Sequence, residues 1–223
     1  MNSLKIETID LLKEYRQGDQ IVTALNSINF SVTSGEFIGI TGRSGSGKST
    51  LLNILAGLTL PTSGNVLLDK KDIFSLDDKE LSLYRNATIG CVPQQYSLLS
   101  NLTVLDNVRL PFHLAKREGD SIKAAQKLLK LVGLDKLAGR LPKRLSGGQL
   151  KRVVIARALM NNPKFLLADE PTGDLDTQTT EEVMAIFRKV VKEGTGIIMV
   201  THDVDTTAYA DKHFVMDSGE LSN

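Results

Sequence analysis

The chain has 223 residues, room for one α/β domain with a full core and too few for two domains of ordinary size. Hydrophobic residues at 41% and charged residues at 24% exclude a disordered chain, and a net charge of +1 gives no general electrostatic footprint for nucleic acid, so no nucleic-acid partner is expected. No apolar run approaches the roughly 18 residues needed to cross a bilayer, and Met1 to Thr8 lacks the continuous apolar stretch of a secretory signal, so a cytoplasmic protein is expected.

Residues 4 to 41 read as sheet: Leu4 to Tyr15, Ile21 to Val32, a Ser34-Gly35 turn, then Phe37 to Ile40. Directly after the last run comes Gly42-Arg43-Ser44-Gly45-Ser46-Gly47-Lys48-Ser49, and Lys48 to Ala56 follows as an apolar helical pattern ended by Gly57. This strand, loop and helix fit a phosphate-binding loop. Its glycines let backbone N–H groups turn inward around a β-phosphate at a helix amino terminus, Lys48 supplies a point charge, and Ser49 offers a hydroxyl to Mg²⁺. An ordinary glycine turn would rarely place that pattern between a strand and a helix.

The only cysteine, Cys91, lies in the apolar run Ile89 to Val92, which reads as a buried thiol and rules out a disulfide within the chain. From about Asn86 to Leu145 the pattern turns helical, and Ser121 to Val132 puts Ile122, Ala125, Leu128, Leu129 and Val132 on one face before a stop at Gly133. Beyond Ser146 come a helix (Gly147 to Met160), a strand (Lys164 to Ala168), a helix (Thr179 to Val191), a strand (Ile197 to Val200) and a final strand at Phe214 to Met216. Such alternation implies parallel strands with helical crossovers.

Three apolar runs thus deliver polar residues at their carboxyl ends, where open α/β sheets bind ligands: the glycine loop after Ile40, Asp169-Glu170 after Ala168, and Thr201-His202 after Val200. Asp169 suits a carboxylate that organises Mg²⁺ through water, and Glu170 would face the attacking water. Two adjacent acids also suit a solvated turn, and the phosphate loop upstream favours the first reading. By itself His202 suits a hydrogen-bonded structural histidine as well as a catalytic one.

Leu145-Ser146-Gly147-Gly148-Gln149, lying between the phosphate loop and Asp169-Glu170, matches the signature of ABC ATPases, and the chain resembles that family from Tyr15 to about Gly219. Ser146 suits a helix N-cap, with glycines in the first turn that let backbone N–H groups approach an anion. The resemblance implies an α/β fold: a P-loop NTPase core of ABC ATPase type, a mixed sheet flanked by helices, with an N-terminal antiparallel β region and a helical signature subdomain. Residues 1–223 would form a single domain, with 1–85 and 160–223 as the RecA-like core and 86–159 as the helical subdomain.

It further implies that Tyr15 stacks on adenine and that Gly42, Arg43, Ser44, Gly45, Ser46, Gly47, Lys48, Ser49 and Thr50 hold the phosphates of ATP. Gln94 would link Mg²⁺ and the attacking water to the helical subdomain; neighbouring Gln95 is the alternative, and the place after Val92-Pro93 favours Gln94. Ser49 and Gln94 would ligate Mg²⁺ directly and Asp169 through water. Glu170 is implied as general base, His202 as the switch residue at the γ-phosphate, and Leu175-Asp176 as part of the loop facing an opposite subunit. Each site would be completed by Ser146, Gly147 and Gly148, flanked by Gln149, of a second copy, so that ATP glues a homodimer.

Ala168 to Asp176 and Ile89 to Gln95 resemble the branch of lipoprotein-release, macrolide-export, peptide-antibiotic-resistance and cell-division ATPases. The implied activity is ATP hydrolysis coupled to a separate membrane-spanning permease, for export or extraction, at the inner face of the cell membrane. A non-transport regulator of cell-division type is the alternative; a soluble ATPase acting on DNA or ribosomes is disfavoured by the lack of coiled-coil or zinc-binding insertions and of a tandem core. Two departures stand out: Pro93 replaces an aromatic, and Leu150-Lys151 replaces a glutamine pair. The permease would dock near Gln94 to Phe112, with Leu105, Val108 and Phe112 turned to the core and Tyr96, Leu98 and Leu99 in an exposed groove.

Overall fold

The computed structural model describes residues 3–222; Met1, Asn2 and Asn223, the ends of the expected 1–223 domain, lie outside the described residues. The chain opens with a long antiparallel hairpin, β1 (Lys5–Gln17) and β2 (Gln20–Thr33), followed by β3 (Phe37–Thr41) and α1 (Lys48–Leu55). β4 (Ser63–Leu68) and β5 (Lys71–Asp72) lead to α2 (Asp78–Ala87) and β6 (Ile89–Val92). A helical stretch follows, with α3 (Val104–Leu114), α4 (Ser121–Leu131) and α5 (Gly147–Ala158). β7 (Phe165–Asp169), α6 (Thr177–Lys192), β8 (Gly196–Thr201), β9 (Lys212–Asp217) and β10 (Glu220–Ser222) complete the chain.

Two sheets form. One is antiparallel, in the order β2-β1-β4-β5; the other runs β10-β9-β3-β8-β7-β6, parallel throughout except for the β9/β10 hairpin. The run Ile89 to Val92, which falls inside the stretch 86–159, is therefore the edge strand of the parallel sheet, paired with β7 from Ile89↔Phe165 to Val92↔Ala168. Because β3, β6, β7 and β8 all run the same way, their carboxyl ends emerge on one edge and set the position of the site.

The central strands are apolar without a break because both faces are covered. Phe37, Leu166, Ala168, Ile197 and Met199 face a core shared with α3 to α6, whereas Ile38, Ile40, Phe165, Leu167, Ile198 and Val200 face a second core shared with α1 and the antiparallel sheet. Each large side chain so buried contributes about 1.5–3 kcal/mol. Across the first core, Phe187 of α6 meets Phe37 edge to face with ring centroids 6.0 Å apart.

Residues 58–85 carried no sequence expectation beyond membership of the core, yet α2 begins with a full capping box, Asp77 accepting from the Glu80 N–H and Glu80 accepting from the Asp77 N–H. On α4, Ala125, Leu129 and Val132 are buried as the spacing predicts, but Ile122 at the first turn is 45% exposed. Cys91 is exposed rather than buried, because its side of the edge strand is left partly open. Leu98 packs against the first core, whereas Leu99 stays 45% exposed. The difference comes from Asn107, which is buried and pins the Leu99 backbone by accepting from its N–H at 2.8 Å and donating to its carbonyl at 3.0 Å.

Candidate functional site: the cleft at the strand ends

A cleft of about 570 Å³ opens where β3, β7 and β8 end, lined by Ala24, Ser44, Gly45, Gly47, Lys48, Ser49, Thr50, Gln94, Asp169, Glu170 and His202. The loop from Gly42 to Gly47 forms its floor. Gly47, at φ 109° and ψ −3°, sits at the N-cap of α1 without a side-chain cap, and a Cβ there would lie 2.2 Å from the Ala24 carbonyl oxygen, so only glycine fits. The first N–H groups of α1 therefore face the cleft unpaired by any cap, as an anion site requires. Lys48 is buried and its ammonium donates to the carbonyls of Gly42 at 2.7 Å and Arg43 at 2.8 Å, holding a positive charge at the same spot.

Across the cleft, β7 delivers Asp169 and Glu170. Burial raises the Asp169 carboxyl above the usual carboxylate range, opposed by a hydrogen bond from Ser49 and the charges of Lys48 and Lys151. Glu170 takes a left-handed backbone, φ 45°, uncommon for a residue with a side chain and costing of order 1 kcal/mol or more. Its N–H still donates to the Val200 carbonyl at 2.9 Å, which anchors the turn to β8. The Glu170 Oε2 accepts from the Thr201 hydroxyl at 3.1 Å and lies 3.0 Å from His202 Nδ1. His202 is exposed into the cleft, whereas Thr201 is fully buried. A carboxylate fixed by two partners, facing an anion site, is a geometry that can orient or deprotonate a water.

Of the two adjacent glutamines, Gln94 lines the cleft; Gln95 is exposed and does not. Gly42, Arg43 and Ser46 belong to the loop but are not part of the cleft lining, and among the described residues the buried Ser46 hydroxyl has no partner. Tyr15 is off the lining, on β1 beside Val22, with the Lys13 ammonium 4.9 Å from its ring centroid. Ser146 to Gln149 also lie off the cleft of their own chain. There Ser146 accepts from the Gln149 N–H at 3.3 Å while its own N–H donates to Gln149 Oε1 at 3.1 Å, closing a capping box on α5. A Cβ on Gly148 would lie 2.4 Å from Thr179 Cγ2, so the signature turn is pressed against the start of α6. Asp176 caps that helix, accepting from the Thr179 N–H and hydroxyl, which hold its carboxyl below the usual range.

Two side chains at this site carried no role in the sequence. Thr201 was visible only as a polar strand end, because its hydroxyl meets Glu170 through the β7/β8 register, which local sequence does not encode. Lys151 was visible only as a departure after Gln149. It is 3% exposed, and its ammonium reaches the carbonyls of Gln94 at 3.0 Å, Glu170 at 3.4 Å and Pro93 at 3.5 Å. Burial lowers its pKa, opposed by Asp174, Asp169 and Glu170.

Comparison with known proteins agrees with this geometry. The family model described as ABC transporter matches residues 25–173, more than half of the chain. The ABC transporter ATP-binding protein YvrO of Bacillus subtilis is 46% identical over 213 residues, covering 95% of this chain and 93% of that protein. A macrolide export ATP-binding/permease protein, MacB of Chlorobaculum tepidum, is 42% identical over 96% of this chain, which spans only 33% of MacB. Among solved structures, the ATP-binding cassette MJ0796 of Methanocaldococcus jannaschii, a dimer in a post-hydrolysis state bound to ADP and phosphate, superposes with a TM-score of 0.91 at 39% identity, covering 98% of this chain and 97% of that one.

Proposed function

The chain belongs to the ABC transporter family of ATP-binding proteins and is an ATP hydrolase, and on that premise we propose that it drives a separate membrane-spanning partner through ATP-dependent closure and reopening of a homodimer. The observation that carries this reading is a division of labour. Lys48, Ser49, Gln94, Asp169, Glu170 and His202 converge on one cleft, while Ser146 to Gln149, with a helix N-terminus of their own, lie away from it. A second copy's signature turn would supply the missing anion contacts.

Phosphoryl transfer to water asks mainly for positioning and charge. Lys48 and the first N–H groups of α1 hold the β- and γ-phosphates, and Thr50 lies beside them. Glu170, steadied by Thr201 and His202, accepts the proton as the water oxygen attacks the γ-phosphorus and the bond to the ADP oxygen breaks. His202 faces the γ-phosphate, Tyr15 supports adenine at the mouth, and Leu175-Asp176 faces the second copy. The oxygen donors of Ser49, Gln94 and Asp169 share one cleft, a hard set that suits Mg²⁺ held by Ser49, Gln94 and, through water, Asp169. Bound there, Mg²⁺ would neutralise charge on the phosphate oxygens. Purified protein is expected to release phosphate from ATP with magnesium and to stop when the metal is chelated; phosphate release that continues in excess chelator would remove Ser49, Gln94 and Asp169 from the metal site.

The proposed coupling runs through a helical arm of about residues 93–159 on a RecA-like core formed by the rest. Among the described residues no helix is long and apolar enough to cross a membrane, and the chain is proposed to sit in the cytoplasm, peripheral to the membrane through its permease. Export or extraction is the proposed direction, supported by the likeness to MacB. The docking site remains within Gln94 to Phe112; of the three expected groove residues Tyr96 and Leu98 pack against the first core, which leaves Leu99 as the exposed apolar contact. Leu99→Glu is therefore expected to keep basal phosphate release while losing copurification with the membrane partner in mild detergent. Unchanged assembly would move the docking site elsewhere.

A further inference from the structure

α5 grips the segment that carries Gln94 along its whole length. Arg157 donates to the carbonyls of Ser97 at 2.7 Å and Tyr96 at 3.4 Å, and two turns earlier Lys151 donates to those of Gln94 and Pro93. Of these two, Lys151 also reaches across to the core, to the Glu170 carbonyl at 3.4 Å, and its neighbour Arg152 pairs with Glu182 of α6 at 3.2 Å. One ammonium thus joins three segments: the helix that begins at the signature turn, the strand exit bearing Gln94, and the strained turn bearing Glu170. The Tyr96 ring lies beside it, 5.4 Å from nitrogen to centroid, and the lysine is buried. Lysine carries three donors and no acceptor, and all three oxygens here are backbone carbonyls, so what it fixes is the backbone of the residues that line the cleft.

We infer that Lys151 is a positioning residue for hydrolysis: it sets the backbone at Gln94 and Glu170 relative to the signature helix, so that movement of that helix on dimer closure is transmitted to both groups that handle the attacking water. This rests on the functional reading above. Lys151 does not line the cleft. Its loss acts on turnover through misplaced groups, and a misplacement of about 1 Å can cost on the order of 10²-fold.

The test uses the full chain with Lys151→Met, close in length and apolar but without donors, and Lys151→Gln, which keeps an amide donor without charge. Melting curves set an assay temperature at which each variant is folded, and rates are normalised to bound nucleotide. Lys151→Met is expected to lower kcat roughly tenfold or more with KM for ATP changed by less than about twofold, and Lys151→Gln to recover most of that loss. A Lys151→Met kcat within twofold of the unsubstituted protein, or equal losses in the Met and Gln variants, would overturn the inference. If Lys151→Met does not fold, Lys151→Leu replaces it; failure of both to fold beside a fully active Lys151→Gln would make the role purely structural and overturn it too. Absence of phosphate release by the unsubstituted protein would instead count against the functional reading itself.

Discussion

Glu170→Gln is expected to bind ATP with near-unchanged affinity and to release phosphate about 10²–10⁴-fold more slowly, the usual cost of losing general-base assistance. The expectation follows from how little else the substitution disturbs. The amide has the shape of the carboxylate, its oxygen can still accept the Thr201 hydroxyl at the 3.1 Å site, and the left-handed backbone at φ 45° is no worse for glutamine than for glutamate. What is lost is the basicity and the charge facing His202 Nδ1 at 3.0 Å. Single-turnover phosphate release, set beside equilibrium binding of a fluorescent ATP analogue, separates the two effects. Wild-type turnover in this variant would take Glu170 out of the mechanism.

Ser146→Arg is expected to leave ATP binding by the monomer intact while removing ATP-dependent dimerisation, and with it nearly all steady-state hydrolysis. Ser146 does not line the cleft of its own chain, so a local effect on nucleotide has no route. It does cap α5, and losing the cap costs about 1 kcal/mol of stability. Ser146→Ala isolates that cost, because it removes the hydroxyl without placing a long cation where the partner's γ-phosphate would sit. Size-exclusion chromatography with ATP should then show dimer for the alanine variant and monomer for the arginine variant. Dimer formation by Ser146→Arg would overturn the shared site.

The phosphate loop and the Asp169-Glu170 pair were legible in the sequence because their chemistry is local: glycines where the backbone must turn, and acids directly after an apolar strand. The signature turn was legible from its match to the ABC signature and from Ser146 as a helix N-cap, and the structure adds the reciprocal bond from the Ser146 N–H to Gln149 that makes it a capping box. The equally local box at Asp77 and Glu80 was open to the same reading and marks the start of α2. What stayed hidden depends on long-range pairing. Whether Cys91 is buried is decided by β6 being an edge strand, and which of Leu98 and Leu99 turns inward is decided by Asn107 eight residues from Leu99. Lys151 reads as an ordinary helix-surface lysine until the 93–97 segment folds over it.

The composite site is tested most directly by counting chains and nucleotides in one particle. Glu170→Gln protein, saturated with ATP and magnesium, passed through a sizing column and weighed by light scattering with nucleotide quantified in the same peak, is expected to run at twice the mass of the 24.3 kDa chain with one ATP per chain. A monomer carrying a full complement of ATP under those conditions would contradict a site shared between two copies.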